Sequence, residues 1–207
     1  MTAADVALVQ VSAAIATADA QALAAALDRA AVAAQPIAIE EAILQSYLFA
    51  GYPAALTAMR AWRDRSGMPA PVSPAGDDAQ WSDRGARVCA IVYGGQYERL
   101  RENVAALHPD LERWMVIEGY GKVLGRPGLP LRTRELCIVA LLAGRIAPAQ
   151  LYAHLRGALN AGASEEDIEV VFESVASLVD PGRLRDAREV WRSVRARRDG
   201  SAPGERA

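Results

Sequence analysis

The chain is poor in lysine, in aromatic residues and in cysteine. Lys122 is its one lysine among 23 basic residues, 6% of the chain is aromatic, and Cys89 and Cys137 are the two cysteines in 207 residues. There is no CxxC pair and no Cys/His cluster at zinc-ligand spacing, which argues against a disulfide scaffold and a structural zinc site. No metal or other cofactor is expected. Charge of one sign is also missing: 25 acids against 23 bases leave a formal charge of -2. Such a balance offers no overall field for nucleic acid or an anionic membrane, so neither is an expected partner. The basic stretch at Arg192–Arg198 reads as a solvated helix end. No uncharged run is long enough to span a bilayer, because Asp19, Asp28 and Arg29 break the Ala-rich N-terminal stretch. That stretch carries Asp5 and no basic residue before Arg29, unlike a secretory signal, and the expected compartment is the cytoplasm.

What the chain does have is apolar residues at helical spacing. With 52% hydrophobic and 23% charged residues it can bury a sizeable core. Leu23, Ala26, Leu27 and Ala30 form one stripe after Asp19, ended by Pro36. Ile39, Ile43, Leu44, Tyr47 and Leu48 form a second, stopped at Gly51-Tyr52-Pro53, and Ala55, Leu56, Met59 and Trp62 a third. A Pro- and Gly-rich segment follows from Gly67 to Gly76. Beyond it, helices are predicted at 83–94, 96–107, 109–124, 132–144, 147–161, 165–178 and 181–197. Ser164-Glu-Glu-Asp167 is a helix start of the S-x-x-[DE] kind. No alternating β-branched run is long enough for a sheet, so the expected fold class is all-α.

A faint internal echo runs through the chain. An offset of 129 residues pairs Ala34 with Ala163, Ile39 with Ile168, Glu40 with Glu169, Ala58 with Ala187 and Trp62 with Trp191. We read this as a duplicated helical unit, although two amphipathic helices of similar length can match by chance. The implied organisation is a degenerate N-terminal half-repeat at 1–66, a linker at 67–82, the main domain at 83–198 and a flexible tail at 199–207.

Chemistry concentrates on few residues. His108 precedes Pro109 in a turn and reads as a loop residue. His154 lies on the stripe Leu151, His154, Leu155, Ala158, Ala161 and therefore points to the core side of its helix. Glu135 sits 19 residues earlier on a helix of its own, and the turn around Gly144–Ile146 lies midway between the two. Both are roughly 13 Å from the end of that helical hairpin at 1.5 Å per residue, so tight packing would bring carboxylate and imidazole to one level. A half-buried Glu–His pair can pass a proton near neutral pH, and a purely structural pair is the competing reading. Arg132 and Arg134 flank Glu135. Either could grip a substrate carboxylate, or simply sit in a salt bridge.

These residues carry a resemblance. E-x-x-G at 118–121, R-P-G-L at 126–129, R-x-R-E-L at 132–136, and H-x-x-G-A-L-N-x-G-x-S-x-E-D-I at 154–168 resemble the carboxymuconolactone decarboxylase family over about residues 83–178. Tyr47, Gly51 and Pro53 fall where the family tends to have Y-x-G-x-P, and at the 129-residue offset His154 pairs with Ala25. The wider superfamily includes alkyl hydroperoxidase D, whose redox site reads E-x11-C-x2-C-x3-H. Laid on this chain, those cysteines fall at Ala147 and Gln150, so dithiol peroxide reduction is not supported. Cys137 reads as a small core residue.

The resemblance implies an alkyl hydroperoxidase D-like helical bundle and cofactor-free loss of CO2 from a small carboxylated lactone in aromatic-compound breakdown. His154 would donate the proton and Glu135 orient it. Arg132 or Arg134 would contact a carboxylate or oxyanion, while Glu118 and Tyr120 would line the pocket. It also implies self-association as a trimer or hexamer. A peroxidase-like protein lacking the dithiol and a non-catalytic helical ligand-binding or assembly protein remain the alternatives.

Overall fold

The computed structural model describes residues 1–72, 76–145, 147–198 and Gly200, and among them there is no strand. The expected all-α bundle is what forms. The first half contains α1 (Ala3–Thr17), α2 (Ala20–Ala33), α3 (Pro36–Gln45), the single turn α4 (Tyr47–Ala50) and α5 (Tyr52–Ser66). In the second half α6 (Asp78–Tyr93) leads through a 3₁₀ turn at Gly94–Gln96 to α7 (Tyr97–Leu107) and α8 (Pro109–Trp114). A π-helical stretch, Met115–Leu124, continues α8. The remaining helices are α9 (Leu131–Ala143), α10 (Pro148–Asn160), α11 (Glu165–Ser174) and α12 (Pro181–Arg198). None of the described helices is long and apolar enough to cross a membrane.

Helix starts follow local chemistry. Asp19 accepts from the backbone amides of Gln21 and Ala22, and Ser164 and Asp167 close a reciprocal capping box. Pro36 opens α3 at its first turn, where a missing N–H costs nothing, so the proline starts one helix as well as ending another. α6 begins at Asp78, inside the expected linker, because Asp77 caps it by accepting from the Gln80 amide. Residues 73–75 of that linker lie outside the described residues, as does the expected flexible tail at 199–207 apart from Gly200.

The helix predicted at 109–124 divides into α8 and the π-helical stretch. Gly85 on α6 and Gly121 on the π turn bring two backbones into direct contact. A Cβ on Gly85 would strike the Val116 carbonyl, and one on Gly121 the Trp81 carbonyl. The wider π coil accommodates that approach and turns Glu118, Gly119 and Tyr120 toward one cavity.

The core is built around α1 and α9, which pack against each other. Residues Thr133–Ala143 of α9 are all buried, and α1 buries Ala7, Leu8, Val9, Val11, Ala13, Ala14 and Ile15. Alanine lets these two helices approach closely. The other helices of the two halves keep a common register. Pro36 and Glu165, Gln45 and Ser174, and Tyr52 and Pro181 are helix bounds separated by 129 positions. One contact recurs at the same offset: the Trp62 indole N–H donates to Glu40 at 3.4 Å, and that of Trp191 to Glu169 at 2.7 Å.

A polar knot joins the starts of α1, α9 and α11. Arg132 pairs with Asp167 at 2.7 Å and with Asp5 at 3.3 Å, Thr133 donates to Asp5 at 2.9 Å, and the Met1 ammonium reaches Asp167 at 3.0 Å. Burial works to raise the Asp167 pKa. The Ser164 amide, Arg132 and the Met1 ammonium outweigh it and hold the carboxyl well below the usual range. Asp5 is lowered in the same sense, with burial again overcome, here by the Thr2, Thr133 and Arg132 hydrogen bonds. A carboxyl whose pKa falls on folding adds stability above its unfolded pKa and loses it as pH drops. Unfolding free energy should therefore decline as pH falls below about 4. Asp167→Asn should lower stability at pH 7 and flatten the acid limb. Urea melts of both proteins at pH 7, 5 and 3 check this, and parallel pH profiles would refute it.

Candidate active site

The N-terminal turns of α9 send four consecutive side chains toward different neighbours. Arg132 and Thr133 join the knot described above. Arg134 has no exposed surface; it pairs with Glu41 at 2.8 Å and donates to Gln45 and to the carbonyls of Arg126, Pro127 and Leu129. Of the two readings open for these arginines, a substrate contact or a salt bridge, the structure shows salt bridges. Both guanidinium groups are held in ion pairs with other helices, and neither lines the cavity described below.

Glu135 turns the other way. Its Oε2 lies 2.8 Å from His154 Nδ1 across the α9–α10 pair, so the hairpin brings these two residues together. Ile146, which falls between the two helices in sequence, lies outside the described residues. Glu135 is fully buried and His154 5% exposed. The helical reason is visible on α10, where Leu151, His154, Leu155 and Ala158 are all buried on one stripe. Room for the carboxylate comes from Gly157, at which a Cβ would stand 2.7 Å from Glu135 Oε2 and 2.7 Å from Val92. The Phe49 ring meets the imidazole edge-on with centroids 5.0 Å apart. Glu135 Oε1 is buried and has no hydrogen-bond partner among the described residues.

His154 forms part of the wall of a cavity of about 350 Å³. With Nδ1 bonded to Glu135, Nε2 is the ring nitrogen left for that space. Glu118 and Tyr120 line the cavity, Glu118 paired with Lys122 at 2.6 Å. Sequence reasoning missed Phe49, Tyr93, Leu111 and Trp114, which join Leu48, Met115 and Leu124 in the aromatic and apolar lining. Burial pushes Tyr93 up to about 12, and burial first, then the neighbouring Tyr93, Glu135 and Cys89, raises Tyr120 well above its usual value. Both phenols are neutral hydrogen-bond donors in the working range.

The other candidates have structural roles. His108 caps α8, its Nδ1 accepting from the Asp110 amide. Cys89 and Cys137 are buried and free, and burial first of all pushes each thiol up to about 12, so neither is a thiolate at neutral pH. Among the described residues no three His, Cys, Asp or Glu side chains are grouped to hold a metal ion.

Fold and site thus define an all-helical bundle with a buried Glu–His pair at an apolar cavity. A profile of the carboxymuconolactone decarboxylase family matches residues 109–193, which include both members of the pair. The chain is 30% identical over 94 residues to a 4-carboxymuconolactone decarboxylase of Acinetobacter baylyi, covering 45% of this chain and 70% of that enzyme. It is also 30% identical over 135 residues to Peroxisomal protein 2 of Schizosaccharomyces pombe, covering 63% of each, so the match spans less than two thirds of that relative. The chain belongs to the carboxymuconolactone decarboxylase family.

Two substitutions test this geometry. Gly157→Ala should push the Glu135 carboxylate off the imidazole, because the flexible carboxylate gives way before the backbone. The expected result is loss of the downfield His154 Nδ1–H proton resonance, with a stability cost of about 1–3 kcal/mol. An unchanged resonance would mean that the pair tolerates the methyl group. Arg134→Ala removes a buried charge that five oxygens face and should cost about 3–5 kcal/mol in denaturant unfolding. A cost below about 1 kcal/mol, the worth of a surface ion pair, would contradict the arrangement described.

Proposed function

We propose that the protein is a cofactor-free lyase that releases CO2 from a small carboxylated lactone in aromatic-compound breakdown. The carrying observation is the buried 2.8 Å contact between Glu135 and His154 Nδ1, which leaves Nε2 for the cavity. Family membership supports the same reading, as does the relative named for that activity.

The chemistry suits these groups. Breaking the bond to the carboxylate carbon leaves an electron pair that delocalises through the conjugated lactone carbonyl as a dienolate. As an imidazolium held by the Glu135 carboxylate, His154 gives the Nε2 proton to the dienolate carbon and becomes a neutral imidazole, its Nδ1–H still donating to Glu135 Oε2. Water restores the lost proton. The neutral phenols of Tyr93 and Tyr120 can donate to the developing oxyanion. Apart from His154 the cavity lining has no basic residue, and Leu48, Phe49, Leu111, Trp114 and Met115 make it largely apolar. Such walls disfavour the substrate carboxylate relative to neutral CO2, which favours the direction of reaction.

Self-association is part of the proposal. Leu107, Leu111 and Trp114 are 79%, 50% and 50% exposed, and the last two stand at the cavity. A trimer or hexamer covering that face would close the cavity against water. We also propose the reducing cytoplasm as the compartment, which suits two unpaired thiols. The register between the halves supports reading α1–α5 as a degenerate copy of the α9–α12 unit. In that copy Val6 and Ala25 stand where Glu135 and His154 would be.

The test is CO2 release from 4-carboxymuconolactone by the purified protein and by His154→Ala. The variant should lose about 10²–10⁴-fold of the rate. If neither protein releases CO2, the substrate class is wrong; if both do equally, His154 is not the proton donor.

A further inference from the structure

The largest cavity among those described lies away from the Glu–His pair. It holds about 530 Å³ between the end of α1, the start of α2 and the start of α5. Its lining includes Ala16, Ala18, Leu23, Ala54 and Ala61, with Arg145 reaching in from the end of α9. The equivalent place in the second half, 129 residues on, holds only about 90 Å³. The side chains explain the contrast. Arg145, Arg183 and Val190 line the small cavity at the positions matching Ala16, Ala54 and Ala61. Three reductions in bulk thus fall around one space.

The polar groups at that space favour an anion. Arg145 is exposed and its guanidinium has no acidic or hydrogen-bonding partner among the described residues. Arg183, in the neighbouring small cavity, is by contrast engaged by the Gly144 carbonyl at 2.6 Å. Asp19, the one acid among the described residues of the lining, already accepts from two amides at the start of α2. The start of α5, at Pro53 and Ala54, also faces the cavity and has no side-chain cap, which adds a weak positive end. The volume falls within the roughly 300–1,000 Å³ typical of small-molecule sites.

We propose that this cavity binds a small apolar carboxylic acid, its carboxylate on Arg145 and its hydrocarbon body against Ala16, Leu23, Ala54 and Ala61. The site is separate from the His154 cavity and shares no lining residue with it. It therefore stands whether or not the lyase reading does.

Titration calorimetry on the full chain tests the proposal, with 2-naphthoate as the probe and neutral 2-naphthamide beside it. One molecule of naphthoate should bind, and His154→Ala should leave its Kd within about twofold, as expected of independent sites. Ala54→Leu with Ala61→Leu should weaken naphthoate by at least about tenfold by refilling the cavity. Arg145→Gln, at an exposed position that does not threaten folding, should weaken naphthoate by about tenfold and leave naphthamide unchanged. No binding to the wild-type chain overturns the proposal, as does binding lost in His154→Ala, which would put the probe in the other cavity. If the double leucine variant instead changes the sedimentation mass and leaves naphthoate affinity intact, the face belongs to another copy of the chain and the proposal falls.

Discussion

A guanidinium without exposed surface sits near the centre of the molecule, and it can remain there because oxygens of several elements face it. Arg134 meets Glu41 and Gln45 from α3 and three carbonyls from the segment before α9. Gln45 returns the contact by donating to the Arg134 carbonyl. Removing such a charge from water costs several kcal/mol, so the contacts must hold together or fail together. What they fix is the rotation of α9 about its own axis. Successive residues of a helix turn by about 100°, so once Arg134 faces α3, Glu135 must face elsewhere. It faces α10, and the imidazole follows.

The pair thus formed is not the cheapest way to fill that space. Glu135 is completely buried, yet one of its oxygens meets no donor among the described residues. A buried acceptor left without a partner costs about 1–3 kcal/mol, and an apolar residue of similar volume would avoid that cost. Gly157 gives up helix propensity of about 1 kcal/mol to leave the carboxylate room. Two local costs thus fall at one contact beside a cavity, where local consistency has been given up.

Periodicity made part of this legible. The stripe through Leu151, His154 and Leu155 and the equal distances from the hairpin turn put Glu135 and His154 at one level of the hairpin, where the structure has them in contact. Helix α1 escaped because it is apolar on nearly every side; a helix buried all round has no stripe to read. The π-helical stretch escaped because the cause lies elsewhere, in the approach of Gly121 to the Trp81 carbonyl on another helix. The partners of the two arginines were out of reach for a related reason. Flanking Glu135 in sequence says nothing about direction on a helix, and the partners Glu41, Asp5 and Asp167 are remote along the chain. Phe49 was likewise invisible, since it reaches His154 from the other half.

Two halves in common register nevertheless differ in the fate of matching positions. His154 is buried, whereas Ala25, at the same place on α2, is exposed. The difference follows from the segment between the halves. α6 packs on α10 and on the π-helical stretch, while α2 packs chiefly on α1, α5 and α3. Only α10 therefore has a roof, and the roof supplies Tyr93, Trp114, Glu118 and Tyr120 to the cavity. An imidazole on α2 would face solvent, where water would compete for its hydrogen bonds and screen any carboxylate beside it. The helix pair alone does not bury an imidazole beside a cavity. The added helices do so, by covering one side of α10 and leaving α2 open.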